Sequence, residues 1–227
     1  MNNGFYNIHT HFPTGNDAVT EIENLRFGEV ASGKTPWRSA GLHPWFLQQD
    51  SMEAAQQWLR EQAALPSVCA MGEAGLDKVC DTPWPLQEAA FRFCIGISET
   101  ARQPLVIHCV RAYNEVIQIK KQLRPAQPWI FHGFNKNPDT AHMLLREGCF
   151  LSFGDALLHD NSHSAEALRQ TPTDRFFLET DDRAEVGIQA IYERAAEIRG
   201  FSVERLCEII SENVQRVFTA TYAPKFC

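Results

Sequence analysis

Short apolar runs alternate along the chain with longer segments in which apolar residues recur every three or four positions. The short runs predict buried strands, and the longer segments predict helices with one apolar face. The predicted strands span residues 5–9, 38–43, 67–73, 104–108, 128–132, 149–154 and 175–181. The predicted helices span residues 51–65, 84–102, 112–123, 138–147, 163–170, 185–199 and 202–219.

Strands and helices that alternate at this spacing predict βα units and a mainly parallel sheet. With an eighth strand predicted around residues 26–31, the fold class is α/β, a TIM-type (β/α)8 barrel formed as one domain by residues 1–227. A doubly wound open sheet is the alternative. Segment 12–37 is polar and short for a full helix plus strand, which predicts a shortened or irregular first βα unit.

Five of the predicted strands end in side chains that can bind a metal ion. His9 and His11 close the first run, and residues two apart in a strand point to the same face. The parallel strands of a barrel share one C-terminal rim, so residues distant in sequence are expected to converge there. The candidate ligands are His9, His11, Glu73, His108, His132 and Asp181.

Each candidate also has a simpler explanation. A histidine at a strand end is more often a hydrogen-bonded rim residue than a ligand, and Glu73 or Asp181 could cap the following helix. Several imidazoles and carboxylates buried together would be costly without a cation, so the set as a whole predicts a divalent-metal site.

The donor set of four histidines and two carboxylates limits the metal. It suits zinc, manganese, iron or nickel better than calcium, and Mg²⁺ could also support activity. Six ligands are too many for one ion and comfortable for two, particularly if Glu73 bridges them. Asp181 could hold a metal and also accept the proton of an attacking water.

Composition and charge limit the kinds of binding partner and the cellular compartment that the sequence predicts. The chain carries seven cysteines without a C-x-x-C pair, no run of membrane-spanning length and no signal-peptide pattern, which predicts a cytoplasmic protein with reduced thiols. A net charge of −7 argues against tight, sequence-independent binding of long nucleic acid through Lys and Arg. It leaves open a small or single-stranded nucleic acid held mainly by metal. No membrane and no obligate protein partner is indicated.

Eight short motifs follow one another along nearly the whole chain: HTH (9–11), GLHPW (41–45), MGEAGLD (71–77), PLVIHCVRA (104–112), FHGF (131–134), GCFLSFG (148–154), LETD (178–181) and ENVQRVF (212–218). They occur in the order found in the TatD-type metal-dependent deoxyribonucleases, a family of the amidohydrolase superfamily of TIM barrels, which the chain resembles. The resemblance implies that His9 and His11 bind one ion with Asp181, that Glu73 bridges, and that His108 and His132 bind a second ion. It also implies divalent-metal-dependent hydrolysis of phosphodiester bonds in DNA.

The neighbours of these ligands depart from the family pattern. Phe12 and Pro13 follow the HTH motif where the family usually has an acidic residue, and HGFNK and ETDDR replace the usual H-C-F-S-G and E-T-D-A/S-P. We therefore expect a metal-dependent hydrolase acting as a phosphodiesterase on DNA or a small nucleotide. The alternatives are hydrolysis of an amide, lactone or phosphomonoester on the same barrel, or a non-catalytic metal-binding barrel.

Substrate contacts are predicted at two further positions. His43, in GLHPW, could reach a scissile phosphate or be a rim histidine fixed by Pro44. Arg111, just past His108, could hold a phosphate or pair with an acid at a helix end. Aromatic residues at the barrel rim could stack on bases, although such residues more often serve packing; these are Trp45, Trp84 and Phe134.

Overall fold

The computed structural model describes residues 4–159 and 162–218, which contain eight strands and seven α-helices. The strands are β1 (Phe5–Thr10), β2 (Val19–Arg26), β3 (Trp37–Gly41), β4 (Val68–Asp77), β5 (Leu105–Val110), β6 (Trp129–Phe131), β7 (Phe150–Phe153) and β8 (Phe176–Leu178). The helices are α1 (Met52–Ala63), α2 (Trp84–Ala101), α3 (Tyr113–Leu123), α4 (Pro138–Arg146), α5 (His163–Gln170), α6 (Ile188–Arg199) and α7 (Val203–Phe218). All seven predicted helices are confirmed, with residue 219 of the last prediction outside the described residues.

The strands form one sheet in the order β1 to β8, and every neighbouring pair is parallel. Asp181 lies three residues after the end of β8 and forms a parallel bridge with Thr10 at the end of β1. This bridge joins the two ends of the sheet. The sequential order also differs from that of a doubly wound sheet, whose strand order reverses. The predicted TIM-type barrel is confirmed.

The eighth strand lies elsewhere than predicted. It is β2, Val19–Arg26, rather than residues 26–31, and no helix follows β1 or β2 within the described residues. The predicted irregularity of segment 12–37 therefore extends over the first two βα units. Helices α6 and α7 both pack against β1, where a helix after β1 or β2 would otherwise lie.

Two buried carboxylates on β2 hold the loops that replace the missing helices. Glu21 Oε2 accepts hydrogen bonds from the backbone N–H of Thr14 at 2.7 Å and of Gly15 at 3.0 Å. Glu23 Oε1 accepts one from the backbone N–H of Ser32 at 2.9 Å. Because polar side chains alternate with apolar ones to make these contacts, β2 lacks the apolar run that marks the other strands.

The hydrophobic core fills the space between the barrel and the helices. Leu59, Phe91 and Ile191 are among the fully buried helix residues, and they pack in the same cluster as the strand residues Leu105 and Leu151. Burial of each such side chain contributes about 1.5–3 kcal/mol. This layer fixes the barrel on which the C-terminal strand ends are displayed.

Two further predictions from the sequence concern membrane-spanning segments and the state of the cysteines. None of the described helices is long and apolar enough to cross a membrane. Six of the cysteines have free thiols, and Cys227 lies outside the described residues. The cytoplasmic location stays a prediction.

Strands β4 and β5 approach each other so closely that β4 requires glycine at two positions. Gly72 has φ 107°, and a Cβ there would lie 2.2 Å from the Val106 carbonyl oxygen. A Cβ on Gly75 would lie 1.8 Å from the carbonyl oxygen of His108. The two glycines flank Glu73 and let it reach the strand that carries His108.

We expect Gly75→Ala to lower the free energy of unfolding by about 3 kcal/mol, because the added methyl group forces β4 away from β5. Gly96→Ala is the matched control, since a Cβ on that α2 residue meets no heavy atom within 4 Å. The control is expected to raise the free energy of unfolding by about 0.5–1 kcal/mol. Urea unfolding followed by tryptophan fluorescence measures both, and equal values would contradict the close packing.

Candidate metal centre

Glu73 lies at the centre of a histidine cluster at the C-terminal end of the barrel. Its Oε1 atom is 2.8 Å from His108 Nδ1 and 2.8 Å from His132 Nε2. The same oxygen is 3.0 Å from His43 Nε2. One carboxylate oxygen therefore faces three imidazole nitrogens.

The other oxygen of Glu73 faces the histidines of β1. Its Oε2 atom lies 3.5 Å from His9 Nε2 and 3.4 Å from His11 Nε2. Asp181 Oδ1 approaches the same two nitrogens, at 3.4 Å from His9 and 3.7 Å from His11. The structure thus brings all six candidate ligands of the sequence into one cluster, and His43 joins them.

Irregular strand pairing aims two of these side chains. The register of β1 on β2 shifts between Asn7 and Thr10, a stretch that contains His9, and the register of β4 on β5 shifts between Met71 and Ala74, which contains Glu73. Such bulges re-aim side chains and are common beside active sites. Strand β4 also continues past Glu73 to Asp77, four residues further than predicted.

Asp181 is fixed by backbone hydrogen bonds to β1. Its N–H donates to the His9 carbonyl oxygen at 3.0 Å, and its own carbonyl oxygen accepts from the His11 N–H at 3.0 Å. Its φ of 52° lies in the left-handed region, which aspartate and asparagine adopt more readily than most other non-glycine residues. The bridge that joins β1 to the segment after β8 therefore also places a candidate ligand.

Burial and charge act against each other at these groups. Burial alone would raise the pKa of Glu73, but the electrostatic influence of His132 and His43 and the hydrogen bonds of His108 and His11 hold it well below its usual range. Burial would likewise raise the pKa of Asp181, and its contact with His9 and the charges on His132 and His9 lower it instead. Both carboxylates are therefore ionised at neutral pH.

His9 and His132 show the opposite balance. Burial, with the neighbouring His132, would lower the pKa of His9, yet the Asp181 and Glu73 carboxylates raise it to about 9. Burial would lower the pKa of His132 too, and Glu73 and Glu179 raise it well above its ordinary value. Positive charge is thus favoured at the position that these residues surround.

The donor atoms fit a divalent cation. His9 is fully buried, and among the described residues neither of its ring nitrogens, nor Nδ1 of His11, has a hydrogen-bond partner of good geometry. Imidazole nitrogens and carboxylate oxygens that converge on one buried position are the coordination chemistry of zinc and related ions. Three overlapping groups of ligand atoms could each hold an ion: His9, His11, Glu73 and Asp181; His43, Glu73 and His108; and His132, Glu179 and Asp181.

Two carboxylates that the sequence reasoning missed orient the histidines from outside. Asp77 Oδ2 lies 3.2 Å from His108 Nε2 and accepts a hydrogen bond from Trp45 Nε1 at 2.6 Å. Glu179 Oε1 lies 3.4 Å from His132 Nδ1 and accepts from the Gly133 N–H at 2.6 Å. The sequence signal for Asp77 is its place as the last residue of MGEAGLD and of β4, and the signal for Glu179 is its place in LETD, two residues before Asp181.

The two residues predicted to contact substrate occupy different surroundings. His43 is buried within the cluster, where its Nδ1 accepts a hydrogen bond from the Trp45 N–H at 3.1 Å. Burial, opposed by Glu73, lowers the pKa of His43. Arg111 is exposed just beyond β5 and is not among the residues that line the pocket over the cluster.

An open pocket of about 360 Å³ gives access to the cluster. Three aromatic side chains on its wall are more than half exposed: Phe12 at 55%, Trp45 at 57% and Phe46 at 53%. Of the aromatic residues predicted to stack on bases, Trp45 lines this pocket, whereas Phe134 is buried in the core. The cluster therefore opens to solvent through an aromatic rim.

An eight-stranded parallel barrel with histidines and carboxylates gathered at its C-terminal end defines the class of metal-dependent barrel hydrolases. The family described as "TatD related DNase" matches residues 14–219. The chain belongs to this family, which confirms the resemblance noted in its motifs, and it is a metal-dependent hydrolase.

Individual relatives agree with this assignment. The chain is 29% identical over 221 residues to "Uncharacterized metal-dependent hydrolase YabD" of Bacillus subtilis, covering 91% of this chain and 83% of that protein. It is 32% identical over 174 residues to "3'-5' ssDNA/RNA exonuclease TatD" of Erwinia amylovora, covering 74% of this chain and 66% of that protein. The crystal structure of YjjV, a TatD homologue from Escherichia coli, matches the fold with a TM-score of 0.84 at 18% identity, covering 96% of this chain and 99% of that chain.

Glu179→Gln should lower the affinity for Zn²⁺ or Mn²⁺ about 10–100-fold, because it removes the negative charge beside His132 and keeps the acceptor for Gly133. Competition with a chromogenic chelator measures the affinity, and circular dichroism checks the fold. Glu166→Gln is the control, since that exposed α5 carboxylate bonds only Arg169 and Gln170 among the described residues. Equal affinity in the two variants would show that His132 does not depend on Glu179.

Proposed function

We propose that this protein is a phosphodiesterase that hydrolyses single-stranded nucleic acid with two divalent metal ions. The observation that carries the proposal is the convergence of histidines from β1, β5 and the ends of β3 and β6 on Glu73, in an open pocket. Two-metal sites of this composition suit in-line displacement at phosphorus, where both the attacking and the leaving oxygen need stabilising.

The proposed ligand assignment follows the distances. His9, His11 and Asp181 would hold one ion, His108 and His132 the other, and Glu73 would bridge the two because its oxygens face opposite sides of the cluster. His43 lies near enough to Glu73 and His108 to contribute to the second position. Bound Zn²⁺, Mn²⁺ or Mg²⁺ would supply the positive charge that acidifies a water molecule and stabilises the leaving oxygen.

Asp181 is the proposed general base. Its side chain is 34% exposed, whereas that of Glu73 is 4% exposed, so of the two carboxylates Asp181 has the greater access to a water molecule in the pocket. The pKa of Asp181 is held below its usual value, which keeps the carboxylate in the form that accepts a proton. Its backbone bonds to β1 hold it in position while the proton moves.

Three features favour single-stranded nucleic acid as the substrate class. The exposed rings of Phe12, Trp45 and Phe46 offer faces on which unpaired bases could stack. The net charge of −7 leaves little general attraction for a long duplex. The name of the Erwinia amylovora relative describes a 3'-5' exonuclease of single-stranded DNA and RNA.

A short end-labelled single-stranded oligonucleotide should be degraded in the presence of Mg²⁺, Mn²⁺ or Zn²⁺, and a chelator should abolish the reaction. Glu73→Gln should lower kcat/KM at least about 100-fold, because losing a ligand should cost more than the 10–100-fold effect of losing an outer-shell partner. Gel analysis of the products also gives the direction of attack. Glu166→Gln serves as the control, and absence of cleavage by folded, metal-loaded protein would contradict the proposal in favour of another bond.

Asp181→Asn should lower kcat about 10²–10⁴-fold, the usual contribution of a general base. Asparagine tolerates the left-handed backbone at this position, so the change tests the carboxylate rather than the fold. Steady-state kinetics, with the metal content measured alongside, check the effect. Asp174→Asn provides a matched change at an exposed carboxylate, and full activity in the Asp181 variant would exclude it as the base.

A further inference from the structure

The inner face of β2 leads to the metal pocket. Side chains alternate along the strand, so Asn24 and Arg26 share one face while Glu21 and Glu23, which hold the outer loops, share the other. Asn24 Nδ2 donates to the carbonyl oxygen of Gly72 at 2.8 Å, the residue immediately before Glu73. Arg26 is one step nearer the C-terminal rim on this face and lines the pocket.

The guanidinium of Arg26 is held in a fixed orientation. Its Cζ atom lies 4.6 Å from the centroid of the Phe46 ring, a cation–π contact. Its Nε and Nη2 atoms lie 2.8 Å and 2.7 Å from Glu29 Oε1, while the other carboxylate oxygen of Glu29 accepts from the Arg26 backbone N–H at 2.9 Å. These contacts use one edge and one face of the group; its Nη1 atom has no partner among the described residues.

Arg26 stands out by its charge. The pocket wall carries the carboxylates of Glu73, Asp181 and Asp182, and Arg26 is the one Lys or Arg that lines it within the described parts of the chain. Arg183 lies next in sequence to Asp182 but does not line the pocket, and its Nε is 3.0 Å from Asp155 Oδ2. An anionic substrate that enters the pocket thus meets one arginine, whose Nη1 atom has no partner among the described residues.

We propose that Arg26, supported by the Phe46 ring, binds a phosphate group of the substrate strand. Arginine suits this role because it stays charged at all working pH values and presents parallel N–H donors to phosphate oxygens. The side chain is only 28% exposed and already ordered, so little conformational entropy is lost when phosphate binds. The inference rests on the proposed phosphodiesterase function, and it assigns to Arg26 the phosphate contact that the sequence predicted for Arg111.

Kinetics on a trinucleotide test the role of Arg26. Arg26→Ala should raise KM about tenfold and change kcat less than about threefold, the signature of a lost charged contact that is equal in the ground and transition states. Arg26→Lys should show a smaller rise, because lysine keeps the charge but not the paired donors. Arg60→Ala is the matched control: Arg60 makes the same kind of contact with the Phe93 ring, at 4.9 Å, on α1 and outside the pocket lining.

Neutral methylphosphonate linkages, placed one at a time in the trinucleotide, locate the phosphate by competition against a standard substrate. The wild-type protein should lose affinity at one linkage that the Arg26→Ala variant does not distinguish. Calorimetric binding of the unmodified trinucleotide to metal-loaded protein needs no turnover. Binding that depends on Arg26 in a protein that cleaves nothing would overturn the phosphodiesterase and keep the phosphate contact, whereas cleavage and binding by Arg26→Ala equal to those of Arg60→Ala would overturn the contact alone.

Discussion

The carboxylate of Glu73 is surrounded by imidazole nitrogens and almost completely removed from water, and the rest of the site is arranged around it. A buried carboxylate is stable only with compensating positive charge, because desolvation of an unpaired ion costs on the order of several kcal/mol. The histidines supply this compensation in part, and a divalent cation would supply it fully. This requirement links the fold to the chemistry, since the strands that carry the histidines must end at one place for Glu73 to remain ionised.

The barrel meets that requirement through local irregularities rather than through ideal strands. Bulges in β1 and β4 fall at His9 and Glu73, and the two glycines around Glu73 let β4 contact the backbone of β5. The bridge between Thr10 and Asp181 joins the two ends of the sheet and positions Asp181 at the same time. The same contacts therefore close the barrel and position part of the cluster. A change that separates β1 from the segment after β8 would also displace a proposed ligand.

The absence of helices after β1 and β2 in the described chain gives the site its particular rim. Glu21 and Glu23 hold loops over the outer face of β2, while the inner face carries Arg26 to the mouth of the pocket. The rim thus combines one ordered cation with exposed aromatic rings beside a strongly polar centre. In the proposed function, this combination would bind the phosphates and the unpaired bases of the substrate strand.

The sequence by itself determined the strand–helix alternation, the barrel class and the set of metal-competent residues, because apolar periodicity and strand-end chemistry are local properties. The position of strand β2 could not be predicted from the sequence, because carboxylates that bond to loops replace the apolar residues of an ordinary buried strand. The motifs contain Asp77 and Glu179 but do not show what they contact, and Arg26 lies in no motif. Each of the three takes its role from a contact with a residue distant in sequence: His108, His132 and Phe46 respectively. Arg111 is the opposite case: its position just after His108 predicted a substrate contact, but it does not line the pocket. Only the tertiary structure decided these positions, because the direction of a side chain at a barrel rim depends on register, bulges and closure.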